Sequence, residues 1–103
     1  MSISIQTSTT ERVCRVAVSG EIDVSNAGEL RTALDEALAR DIDGLEVDLA
    51  DVPYIDSTGI GVLVGAAHHA TETGAKPVVS HPQANVARVL TLLGMADDLG
   101  LTS

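Results

Sequence analysis

The stretch Tyr54-Ile55-Asp56-Ser57-Thr58-Gly59-Ile60-Gly61-Val62-Leu63-Val64-Gly65 decides how this chain is read. Tyr54 and Ile55 make a short extended step, and Asp56, Ser57 and Thr58 are three consecutive residues of the types that favour helix N-termini. The spacing predicts a helix that starts here, runs through Ile60, Val62, Leu63, Val64, Ala66 and Ala67 toward Thr73, and stops at Gly74. So apolar a first half belongs in an interior. The junction also has chemical value, because the free amide hydrogens and the dipole at a helix start favour an anion. A hydroxyl placed there can accept a phosphate, which adds about −1.5 to −2 charges, supported by the helix end and opposed by Asp56. From composition and spacing alone, the simpler role for Ser57 or Thr58 is to cap the helix.

Working outward, Asp51, Val52 and Pro53 form a break before the junction. Ahead of it Leu45, Val47 and Leu49 alternate with Glu46 and Asp48 and read as a strand, although two acids are unusual in a central parallel strand. Further upstream, Ser25 is the expected cap of a helix. Its apolar positions Ala27, Leu30, Ala33, Leu34, Ala37 and Leu38 lie opposite Glu29, Arg31, Asp35, Glu36 and Arg40. Two strands come first, one around Ile3 and Ile5 and one from Val13 to Ser19, joined by a polar bend over Ser8 to Glu11 and ended by Gly20. Downstream, Pro77, Val78 and Val79 are the expected last strand, and Pro82 suits a first helical turn. Val86, Val89, Leu90 and Leu93 mark a final amphipathic helix closed by Gly94. This order predicts an α/β fold: a small mixed β-sheet with an antiparallel edge hairpin and packed α-helices.

With 103 residues the chain is expected to be a single domain spanning 1–103, too small for enzyme classes that need a large fold. Its net charge of −9 argues against nucleic-acid and anionic-membrane partners, and discourages self-association, so the free protein is expected to be monomeric. Hydrophobic residues make up 45% of the chain, yet Tyr54 is the only aromatic, so aliphatics must build the core and base-stacking platforms are missing. Cys14 is the single cysteine, no signal-peptide pattern opens the chain, and no apolar run approaches the roughly 20 residues of a bilayer span. Cytoplasmic residence is the resulting expectation.

Other candidate sites are weaker. Gly59, Gly61 and Gly65 form G-x-G-x-x-x-G, with Val64 where a dinucleotide fingerprint needs glycine and no lysine as in a phosphate loop; close packing or a partner backbone at Gly59 and Gly61 accounts for them. His68 and His69 point about 100° apart on a helix and cannot readily share a metal. They and His81 are read as surface or rim residues, and no metal site is expected. Glu21 and Asp23 lie on one side of an extended segment, as a carboxylate pair, a solvated loop or a partner-facing acidic site. Cys14 is read as a small buried apolar residue. A hydrolase using Ser57, these carboxylates and a histidine is disfavoured by the lack of a legible triad.

Gly20-Glu21-Ile22-Asp23, the helix after it, Leu45-Glu46-Val47-Asp48-Leu49 and Tyr54 to Leu63 resemble, over nearly the whole chain, an anti-sigma factor antagonist of the STAS domain family. Gly74 to Val79, His81-Pro82 and Val89-Leu90 with Leu93-Gly94 add to the likeness. The resemblance implies that Ser57 is phosphorylated by an anti-sigma factor serine kinase, which itself holds the ATP, so this chain needs no cofactor and is no enzyme. It implies further that the unphosphorylated form binds that kinase and frees a sigma factor, and that a metal-dependent serine phosphatase resets the switch. Glu21, Asp23, Asp56, Ser57, Thr58, Gly59 and Gly61 are the implied partner-binding residues. A STAS scaffold or transporter-associated subunit without a switch is the alternative. Thr58 stands where the family often has serine, and Asn26, Ala27 and Gly28 replace bulkier helix-opening residues, which bears on partner specificity. Many relatives continue into another helix after the segment matching Gly94 to Leu99, so that helix is expected to be short or absent here.

Overall fold

A computed structural model describes residues 3–102. In chain order its elements are β1 (Ser4–Thr10), β2 (Val13–Ser19), α1 (Ala27–Leu38), β3 (Gly44–Asp51), α2 (Ser57–Glu72), β4 (Lys76–Ser80) and α3 (Ala84–Leu92). The sheet order is β1-β2-β3-β4, with β1 antiparallel to β2 and the remaining pairs parallel, the expected mixed sheet with an edge hairpin.

Strand alternation sets the core. In register, Cys14 pairs with Leu45, and Val16 with Val47, which pairs in turn with Val79, so one sheet face is aliphatic and buried. Onto it pack Leu30, Leu34, Ala37 and Leu38 of α1 and Ile60, Val62, Leu63, Ala67 and Ala70 of α2. Burying a Leu, Ile or Val side chain completely is worth about 1.5–3 kcal/mol, which is how a core without buried aromatics holds the sheet. Cys14 is fully buried within it, as expected of a small apolar residue.

The opposite face explains the acids of β3. Asp48 is only 7% exposed because Arg15 of β2 reaches across to its carboxylate, the Ala50 amide donates to Asp48 Oδ1 at 2.9 Å, and the His81 ring lies 3.5 Å away. Glu46 sits beside it, accepting from Ser80 Oγ at 2.7 Å, with Arg15 Nε at 3.4 Å.

Three boundaries differ from the sequence expectations. The polar bend shrinks to Glu11 and Arg12, both at positive φ, because Ser8 and Thr9 pair with Arg15 and Cys14 and extend β1 to Thr10. Arg12 fastens this turn through Asp41 and Asp43, and the same bonds hold the Asp43 carboxyl below the usual aspartate range. Ser25 does not cap α1: the cap position is Asn26, and Ser25 turns back to Asp23 instead. Pro82 lies outside α3, since the chain reverses at His81 (φ 55°) and the helix starts only after Gln83, which donates to Ala50 O. Beyond α3 the described residues form no further helix, in line with the expectation of a short or absent one. The chain makes turns instead, buries Leu99 completely and pairs Leu101 with Val79. That tail needs Gly100, where a Cβ would sit 2.2 Å from Pro77 O.

Candidate functional site

Two loops meet at the start of α2. Gly20 N–H donates to Asp51 O, and Ile22 N–H to Tyr54 O, both at 3.0 Å, while Asp56 N–H donates back to Ile22 O at 3.0 Å. The Ile22–Ile55 bridge zips the loops together, with Ile22 fully buried and Ile55 5% exposed. The Asp56 carboxylate closes the join. Its Oδ1 accepts from Gly59 N at 3.0 Å and caps α2, and its Oδ2 accepts from Val24 N at 3.1 Å.

Capping therefore falls to Asp56, neither to Ser57 nor to Thr58. Ser57 and Thr58 occupy the first two helical positions and are exposed, at the positive end of a 16-residue helix with no acid in its first turn. Gly59, by contrast, is buried, and a Cβ on it would meet Ile22 Cγ2 at 2.6 Å and Ile55 Cγ1 at 2.7 Å. Its small size lets α2 sit on the Ile22 loop, so internal packing explains this glycine without a partner. Gly61 is exposed with nothing within 4 Å of a notional Cβ, and remains open to a partner.

Glu21 and Asp23 flank Ile22. Glu21 is exposed, whereas the Asp23 carboxylate accepts from the Ser25 amide at 2.9 Å and from the Ser25 hydroxyl. The hydroxyl contact holds the Asp23 carboxyl below the ordinary aspartate value, against an opposing desolvation effect. Two features here take a part that the sequence does not assign them. Val24 and Tyr54 stand 75% and 50% exposed, one on each loop, forming apolar flanks to the acidic groups. Asn26 is 2% exposed and bonds back to the Glu21–Asp23 segment. An Asx residue three positions after Asp23 was the available signal, since such side chains tie down their own turns.

The histidines lie away from the α2 start: His68 and His69 are exposed on α2, about three turns beyond Ser57. Among the described residues Glu46, Asp48 and His81 place ligand atoms within 4.8 Å of one another. Arg15 and Ser80 already bind these carboxylates, so the grouping is an ion-pair and hydrogen-bond network on the sheet face opposite the core. A groove between α1 and α2, of about 200 Å³, is lined by Arg31, Asp35, Gly61, Gly65 and His69 among others and does not include Ser57. Among the described residues no helix is long and apolar enough to cross a membrane.

The STAS domain family model matches residues 4–103. The chain belongs to the STAS family. Within it the chain is an anti-sigma factor antagonist family member: it is 31% identical over 103 residues to the anti-sigma-B factor antagonist of Bacillus subtilis (strain 168), covering 100% of this chain and 94% of that relative. The crystal structure of an anti-sigma factor antagonist from Mycobacterium paratuberculosis superposes with a TM-score of 0.87 at 25% identity, over 96% of this chain and 84% of that one. The Bacillus cell fate determinant SpoIIAA in its phosphorylated form shares the fold, with a TM-score of 0.76 at 15% identity over 97% and 92% of the two chains.

Proposed function

We propose that this chain is a phosphorylation-switched anti-sigma factor antagonist, acting as a single cytoplasmic domain with no catalytic step of its own. Its unphosphorylated form binds an anti-sigma factor serine kinase and releases the sigma factor; phosphorylation at Ser57 ends binding, and a metal-dependent serine phosphatase restores it. The observation that carries this reading is the exposed Ser57 hydroxyl at the first position of α2, with capping supplied by Asp56. The relative SpoIIAA, known in a phosphorylated form, supports the same chemistry.

The docking surface is the pair of loops. Val24 and Tyr54 supply apolar anchors, Glu21, Asp23 and Asp56 an acidic surround, and Thr58 and Gly61 the adjoining helix face, with Gly59 holding the helix in place beneath. A chain of net charge −9 then favours a partner with a basic rim around an apolar hollow. A phosphate on Ser57 would be buried by that partner beside Asp56. Even about 2.7 kcal/mol of uncompensated desolvation and repulsion weakens binding about a hundredfold, enough for a switch without refolding.

Incubation with ATP and the anti-sigma kinases of the same genome, followed by mass spectrometry, tests this. One added phosphate mapping to Ser57, absent from Ser57→Ala, is the expected result. Stable complexes with no modification would replace the switch by a non-switching STAS scaffold.

A further inference from the structure

Asn26 stands at the cap position of α1 but its side chain does not cap that helix. Its Oδ1 accepts from the Asp23 amide and its Nδ2 donates to the Glu21 carbonyl, both at 2.9 Å. One planar amide thus grips the backbone on either side of Ile22. Ile22 in turn exchanges hydrogen bonds with Tyr54 and Asp56, and the Asp56 carboxylate holds Val24 and the start of α2. The run of contacts ends one residue from Ser57.

The chemistry admits few substitutes. The grip needs a donor and an acceptor on one short side chain. Asp has no donor at neutral pH, Ser cannot span both groups, and Gln is a methylene too long. Asn26 is 2% exposed, so losing its amide leaves the Asp23 N–H and the Glu21 carbonyl without this partner. The helix itself does not depend on this side chain, because the Ala27 amide donates to Asp23 O at 2.8 Å.

We propose that Asn26 is a positioning residue: it sets the Glu21–Val24 loop against the α2 start and thereby governs recognition at Ser57 without touching the partner. The recognition half rests on the phosphorylation reading above; the clamp half does not.

Amide hydrogen exchange at Ile22 and Val24 tests the clamp with D2O alone. In Asn26→Ala and Asn26→Asp, exchange at both amides rises about tenfold or more, while Val86→Ala in the core of α3, a destabilised control, leaves them near wild type once global stability is matched. Steady-state phosphorylation by the kinase that modifies the wild type tests recognition. The Asn26 variants raise KM about tenfold with little change in kcat, and Val86→Ala changes neither. Wild-type exchange and wild-type KM in both Asn26 variants would overturn the proposal. If no kinase modifies the wild type, the functional reading fails, and the exchange data still decide whether the clamp exists.

Discussion

At the scale of single residues, the site turns on which of several chemically similar side chains takes which task. Asp56, Ser57 and Thr58 are all cap-forming types, so residue preference does not choose among them. The choice comes from the Ile22–Ile55 bridge, which fixes Asp56 in extended backbone (φ −93°, ψ 180°) with its carboxylate over Gly59. Asp56→Ala is therefore expected to lower stability by about 1–2 kcal/mol in denaturant titration, through loss of the cap and the Val24 tie. Gly59 and Gly61 look alike in sequence and differ in the fold. Gly59→Ala should cost about 1–3 kcal/mol by overpacking, whereas Gly61→Ala should be neutral or stabilise the helix by up to about 1 kcal/mol. Equal effects at the two positions would contradict the packing described for Ile22 and Ile55. Asp23 gives a pH signature. Its carboxyl titrates below the ordinary aspartate value because Ser25 binds the charged form, so the contact contributes above the unfolded-state pKa and is lost as pH falls through the folded-state value. Ser25→Ala should raise the Asp23 pKa in an NMR carboxylate titration and destabilise the protein at pH 7 more than in strong acid.

At the scale of elements, periodicity located the helices and strands, because all but β1, where Ile5 alone is partly buried, bury aliphatic side chains and the pattern records it. It failed at the ends, where partners distant in sequence decide. The β1–β2 turn is closed by Glu11 and Arg12 at φ 51° and 68°, a conformation that residue preference would reserve for Asn and Gly. Arg12 is held there by Asp41 and Asp43, about thirty positions away, and those bonds were not readable from the bend itself. Among the described residues Glu11 makes no such ion pair, so Glu11→Gly should raise stability by about 1 kcal/mol, seen as a higher thermal midpoint. A lower midpoint would mean that the Glu11 side chain supports the turn. The acids of β3 follow the same lesson. Their alternation marked a strand, and only the neighbouring Arg15, Ser80 and His81 explain how a parallel strand carries them on a face without a helix.

At the scale of the whole molecule, charge, size and core composition point away from nucleic acid, and the proposed docking surface lies on the two joined loops. The aliphatic core fixes the two loops relative to each other, while Val24 and Tyr54 remain outside it on either side of the acidic groups. Neither was legible as an anchor in sequence, since exposure of an apolar residue depends on which loop lies beside it. The central claim is that a single charge change at Ser57 controls partner binding on an otherwise unchanged scaffold. Isothermal titration of the cognate anti-sigma kinase into unphosphorylated protein and into protein phosphorylated at Ser57 tests it most directly. Binding weaker by about a hundredfold or more is expected in the phosphorylated form, with the same thermal unfolding profile in both. Equal affinity of the two forms would contradict it.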